Sequence, residues 1–374
     1  MFAGVPAAML YAGRAASAYP IGIIMDRAGR RPAIAAGYLA GVFGGVLAAL
    51  AIVVESYALF VVAALIYGMA RGGSDQSRFV AAEVHAEVRR GRIIGLIVFS
   101  GTIGAMIGPL LVWLSKRFAE NAGLNWLAGP WIVAAMLSLL SMAIVLGLVR
   151  PDPLQILRSS GAAGRLNREP SRPRGSHPLA KMLHSPRIRL AISSMMVGQV
   201  VMAMIMSMAP LHMNEIDQGI LAISFAMMSH TFGMFGLAWV TGWLVDRFGQ
   251  IPVIAAGAIV LVTAGLLATA AEDVGVIIVV MFLLGLGWNF AFVAGSSLLV
   301  EGLAPGERGR TQGFGDALVS IAAGTGGLGS GLIFAWGGLE FLGWISLALA
   351  SALLVSAFWV GVLRRSPAVA ASSP

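Results

Sequence analysis

Asp75 stands four residues after Arg71 and three before Arg78, in the inner half of an apolar run, residues 57–84. On a helix both spacings bring opposite charges onto one face, so the carboxylate can pair with either arginine. Arg14 lies in the middle of another apolar run, residues 3–25. A charge at that depth in a bilayer costs about 3 kcal/mol on insertion scales, and so demands a partner or a wet cavity. His230 also falls well inside an apolar run. An unperturbed imidazole titrates near neutral pH, which suits proton carriage. The chemistry open to these groups is coupling of charge or protons to movement within a membrane. The plainer readings are a self-satisfied ion cluster for Arg71, Asp75 and Arg78, and a hydrogen bond between helices for His230. Asp316, near the start of its run, reads as an acid that stabilises a helix N-terminus.

Other chemistries are excluded. There is no cysteine, hence no disulfide and no thiolate metal site, and no metal is expected. Neither H-E-x-x-H nor G-x-S-x-G occurs, so the chain reads as no enzyme. The glycine run 324–331, GTGGLGSG, has no lysine behind it and is not a phosphate loop. Close helix packing or bending accounts for it, and no cofactor is expected. Methionines 202, 204, 206 and 208 fall as two near-opposite pairs on a helix. Flexible packing is favoured there over an adaptable binding wall or copper ligation.

The elements that position these groups follow from composition. Hydrophobic residues are 58% of 374, charged residues 11%, and mean hydropathy is +0.86. Soluble domains are usually about 45–50% apolar. The apolar runs are continuous and about 20 residues long, which indicates membrane-crossing helices rather than strands. Eleven spans are expected, near 3–25, 33–54, 57–84, 93–115, 126–149, 190–213, 220–245, 251–271, 274–300, 311–336 and 341–363. Of the 25 basic residues, 20 fall in loops and ends on one side, two on the other and three within spans. The positive-inside rule then places the loop after the first span, the long segment 150–189 and the C-terminus in the cytoplasm. The net charge of +8 reflects that bias and not a nucleic-acid partner. Segment 150–189 is basic and rich in Ser, Gly and Pro, and reads as a linker between bundles 1–149 and 190–374.

Two segments return in register. GIIMDRAGRRPAIAAG at 22–37 recurs as GWLVDRFGQIPVIAAG at 242–257, an offset of 220. EVHAEVRRGRIIG at 83–95 matches EGLAPGERGRTQG at 301–313, an offset of 218. Internal repeats in a helical membrane protein predict two related bundles with a site between them. The first residues lack the basic region of a cleavable signal peptide. The repeat partner of span 190–213 would fall before Met1, so a further apolar span is expected in frame upstream.

Gly22, Asp26, Arg27, Gly29, Arg30 and Arg31 form G-x-x-x-D-R-x-G-R-R, which resembles motif A of the major facilitator superfamily. Gly242, Asp246, Arg247 and Gly249 resemble its weaker repeat, with Gln250 in place of a basic residue. Gly95, Gly104, Gly108 and Pro109 resemble motif C of proton-coupled exporters, without its closing Gly-Gly. The resemblance implies an all-α polytopic fold of two pseudo-symmetric six-helix bundles, here with about eleven helices. It implies a monomeric secondary transporter in the cell membrane, working by alternating access and exporting small organic compounds in exchange for protons. An importer or uniporter of a metabolite, and a non-transporting fragment, are the alternatives. Physically, Gly29 supplies a backbone angle for a sharp loop. Gly22 permits close helix approach. Arg30 and Arg31 are expected to hold the loop at the cytoplasmic face. Asp26, an acid against the basic trend, either pairs with an arginine or faces a helix N-terminus. The resemblance implies that this helix is the one near Thr311, forming a latch. The coupling candidates are Arg14, Arg71, Asp75, Arg78 and His230. The motif B arginine of the family would fall at Ala64, so Arg71 does not inherit its role.

Overall fold

The computed structural model describes residues 5–85, 89–159, 184–301 and 308–365. The middle of the expected linker and the C-terminal tail lie outside them. Among the described residues thirteen α-helices follow one another and there is no strand. They are α1 (Val5–Arg27), α2 (Arg30–Val53), α3 (Tyr57–Ser74), α4 (Ser77–Glu83), α5 (Arg90–Asn121), α6 (Ala128–Leu148) and α7 (Pro153–Ser159). After these come α8 (Pro186–Glu215), α9 (Ile220–Thr231), α10 (Ala238–Phe248), α11 (Gln250–Ala268), α12 (Val274–Glu301) and α13 (Arg308–Arg365).

Among the described residues nine helical segments are long and apolar enough to cross a membrane. Helix α1 is not among them, and α13 counts once although it holds two expected spans. Non-helical angles at Gly337 and Gly338 divide α13 without a long loop. The third expected span breaks after Ser74 into α3 and α4. The seventh is interrupted by a π-helical turn, Phe232–Gly236. Such turns insert a residue and free a carbonyl. Here Asn289 Nδ2 donates to Met234 O at 2.5 Å.

Contacts divide the helices into two compact units. One holds α1–α4, α6, α7, α5 from Ile103 onward and α13 up to Gly324. Within it α2 packs on α3 and α6, and α1 packs on α3. The other holds α5 up to Thr102, α8–α12 and α13 from Thr325. Within it α12 packs on α8, α9 and α11. The units therefore differ from the two halves of the sequence in 87–102 and 303–324.

Small residues line the helix contacts. A Cβ on Gly37 would lie 2.8 Å from Gly73 Cα, so α2 and α3 approach backbone to backbone. Large apolar side chains point outward instead: Phe43, Met106, Ile220 and Trp336 are 63%, 75%, 83% and 83% exposed. So much exposed apolar surface suits hydrocarbon, not water.

The α1–α2 and α10–α11 junctions repeat one device. Gly29 and Gly249 have φ of 120° and 90°, in a region open to glycine. A Cβ on Gly22 would overlap the carbonyl oxygen of Gly309, and one on Gly242 that of Gly91. Gly22→Val is therefore expected to destabilise the protein by about 1–3 kcal/mol, the usual cost of overpacking. Gly104→Ala, which meets open space, should change stability by no more than ~0.5 kcal/mol. Thermal unfolding in detergent checks both. Equal midpoints for the two variants would refute the close-approach account.

Candidate functional site

The first element of the site is the end of α1. Asp26 Oδ1 accepts from Gly309 N and Oδ2 from Arg310 N, both at 3.0 Å. The carboxylate thus occupies the first turn of α13, where backbone N–H groups lack helical partners and the helix dipole is positive. Arg30 Nη1 also lies 3.1 Å from Asp26 Oδ1. Asp26 therefore takes both of its alternatives at once, an arginine and a helix N-terminus.

Arg30 is a charge of the basic loop that the fold buries. Its side chain is 1% exposed. Its Nε and Nη2 donate to Glu83 Oε2 at 3.1 and 3.0 Å, and its Nη1 to Met25 O at 2.6 Å. A guanidinium presents five donors in a fixed fork, and here the fork is filled by acids and a carbonyl. Gln312 Nε2 reaches Glu83 Oε1 at 3.5 Å, tying α13 to α4. Arg31 donates to the Leu146 carbonyl, while Arg27 is exposed. Asp152 accepts from Arg30 N at 3.2 Å and Arg31 N at 2.9 Å, capping α2, and from Leu154 N at 2.8 Å, capping α7.

The second copy repeats the core of this geometry. Asp246 Oδ1 accepts from Gly91 N at 2.8 Å and Oδ2 from Arg92 N at 3.0 Å, in the first turn of α5. The Gly-Arg pairs gripped by the two acids are those shared by the second sequence echo, at 91–92 and 309–310. Gln250 stands where Arg30 stands in the first copy. Among the described residues the ion-pair partner of Asp246 is Arg92, at 4.0 Å and with the arginine more than half exposed.

A second cluster joins α1, the α3–α4 break and α13. Arg14 Nε is 2.8 Å from Asp75 Oδ2, joining α1 to the α3–α4 break. Arg78 Nη1 donates to Asp75 O at 2.6 Å, and its Nη2 pairs with Asp316. Gln76 Nε2 donates to Asp316 Oδ2 at 3.1 Å. Arg78, Gln76 and Asp316 are each at most 3% exposed. Asp316 thus acts eight residues into α13 as the counter-ion of Arg78, not at the helix N-terminus. Arg71 is exposed and has no ion-pair partner among the described residues.

His230 is fully buried, and its Nδ1 donates to Met281 O at 3.0 Å, bridging α9 and α12. Nearby on α12, Trp288 Nε1 donates to Gln199 Oε1 on α8 at 2.9 Å. Gly95 lies against the α10 backbone at Ala238, whereas Gly104 and Gly108 face open space. Pro109 continues α5, and its side chain lies outside the described residues. No group of three or more His, Asp or Glu able to hold a metal occurs among the described residues.

Glu83, Gln76, Gln312 and Asp152 were not singled out by the sequence. The signal that marked Asp26, an acid beside basic loop residues, applies to Asp152, whereas Glu83 is an acid at the end of an apolar run. The two glutamines carry no such signal, since an amide in a helix declares no partner.

A family model described as Major Facilitator Superfamily matches residues 1–301 and again 200–374. YdeG of Bacillus subtilis, an uncharacterized MFS-type transporter, is 32% identical over 363 residues, 96% of this chain and 83% of its own. The riboflavin transporter RfnT of Brucella anthropi is 26% identical over 372 residues, 98% of this chain and 88% of its own. The crystal structure of the human organic anion transporter MFSD10 superposes with a TM-score of 0.74 at 16% identity, covering 96% of this chain and 83% of that one. At that identity the likeness is one of fold.

Proposed function

The chain belongs to the major facilitator superfamily, a multi-pass membrane transporter, and on that premise we propose that it exports small organic compounds in exchange for protons. The observation that carries this reading is the presence of two acids within helical segments long and apolar enough to cross a membrane, each held against an arginine: Asp75 with Arg14 and Asp316 with Arg78. Ionisable groups at such depth are expensive and mark ion pathways by default. A proton arriving at either carboxylate removes its charge and frees an arginine, which biases the adjoining helices toward another arrangement. Asp26 on the N-terminus of α13 is the contact released when access alternates. The glycine pattern Gly95, Gly104, Gly108 and Pro109 supports export by its resemblance to motif C. The basic loops support a cytoplasmic linker and C-terminus in the cell membrane.

A second reading, uptake of a small metabolite, is favoured by the similarity to a riboflavin transporter. Purified protein in liposomes distinguishes the two. With an acidic lumen and the cytoplasmic face outward, exchange drives a substrate uphill into the vesicle, and a protonophore abolishes this. The panel should hold lipophilic cations, organic anions and riboflavin. Uphill uptake only with an alkaline lumen would instead establish symport. Uptake indifferent to the gradient would establish a uniporter.

A further inference from the structure

The start of α8 and the last turns of α13 flank a cavity of about 460 Å³. Its polar lining is Arg189, Ser193 and Ser356; Leu190, Val355 and Trp359 are among its apolar lining. The neighbouring cation is already answered, since Arg187 Nη2 lies 3.6 Å from Glu301 Oε1. Arg189, two residues on, projects from another side of the helix, as a turn of 100° per residue requires. It is exposed and has no acidic partner among the described residues.

Ser193 stands one turn beyond Arg189 and so shares its face. Its hydroxyl donates to Leu190 O at 3.2 Å, and that of Ser356 donates to Ala352 O at 2.8 Å. Both hydroxyl protons are therefore spent on backbone, and the two oxygens offer lone pairs to an incoming donor. Trp359 is 67% exposed, an aromatic with a polar edge of the kind that settles at a membrane interface. The groove thus offers a bare cation, two acceptors and an apolar wall that opens to the hydrocarbon.

We propose that this groove binds an anionic phospholipid whose headgroup carries hydroxyl donors, of the phosphatidylglycerol type. The phosphodiester pairs with Arg189, headgroup hydroxyls donate to Ser193 and Ser356, and an acyl chain lies along the exposed side chains of Val355 and Trp359. A soluble phosphate would leave that wall unused, so the occupant is a lipid and not a free anion.

The test is native mass spectrometry of the full chain taken from vesicles of equal phosphatidylglycerol and phosphatidylcholine. Wild type is expected to retain phosphatidylglycerol preferentially. Arg189→Gln should lower that retention about fivefold, in keeping with one cation near a membrane surface. Ser356→Leu, which fills the groove and leaves every charge in place, should lower it as well. Arg187→Gln should leave it unchanged. Should Arg189→Gln fail to fold, Ser356→Leu and Trp359→Ala carry the same readout. Retention at the wild-type level in the folded groove variants overturns the proposal. So does displacement of the lipid by glycerol phosphate alone, which would make the site one for a soluble anion.

Discussion

Asp26→Asn will slow transport by at least ~10-fold, whereas Asp246→Asn will slow it by no more than about threefold, because only the first acid joins a helix N-terminus to a buried arginine. Both carboxylates accept two backbone N–H groups at 2.8–3.0 Å. Asparagine keeps one acceptor and puts a donor where the other was. That donor faces an N–H, so the loss exceeds the loss of charge alone. At Asp26 the lost charge also leaves the guanidinium of Arg30, which is 1% exposed and cannot turn to water, against a neutral amide. The substituted site should lose about 2 kcal/mol of its grip on the first turn of α13. Asp246 has an exposed Arg92 at 4.0 Å as its ion-pair partner. Water and salt share that interaction, and such pairs are worth about 0–1 kcal/mol. Initial rates in liposomes, normalised to folded protein, give the comparison. Equal losses in the two variants would mean that Arg30 and Glu83 contribute nothing, and a wild-type rate in Asp26→Asn would remove the latch from the mechanism.

Asp316→Asn will destabilise the protein by about 3 kcal/mol, the lower end of the cost of breaking a buried ion pair from one side. It leaves the Arg78 guanidinium buried beside an amide. The cost falls at the low end because Arg78 keeps its bond to Asp75 O at 2.6 Å and lies 4.2 Å over the Phe79 ring. The double variant Arg78→Gln/Asp316→Asn should recover most of the stability, since two neutral amides strand no charge. The double variant also separates two roles. If the pair couples protons to transport, the refolded double variant moves substrate downhill but not uphill against a proton gradient. If it drives uphill transport at the wild-type rate, the pair is an internal brace. Asp75→Asn offers the same division through Arg14, with uphill transport lost and downhill exchange kept.

Membership of the membrane class, the repeat at offsets of 220 and 218, and the loop at Gly22–Arg31 were legible in the order of residues alone. Each is a local property. An apolar run of twenty residues, a glycine with positive φ or a charge in a loop declares itself without reference to distant residues. The span boundaries were legible for the same reason, except where a helix breaks inside apolar sequence. The two glycines of Phe232–Gly236 mark a weak point in the helix but not a π turn, whose Met234 carbonyl is met by Asn289, more than fifty residues away.

Pairing was decided elsewhere. Helical spacing offered Asp75 the arginines at 71 and 78, yet its carboxylate reaches Arg14 on another helix. The sequence placed Arg30 in a basic loop without naming a partner, and the fold buries it against Glu83. Asp316 read as a helix-end acid, and the fold sets it against Arg78, 238 residues earlier in the chain. Periodicity reports only neighbours three and four residues apart on one helix. Which helix lies across from that face depends on where backbones can approach, and this is set by glycines such as Gly22 against Gly309. The charged groups were therefore visible in the sequence, while their partners came into being only when the helices packed.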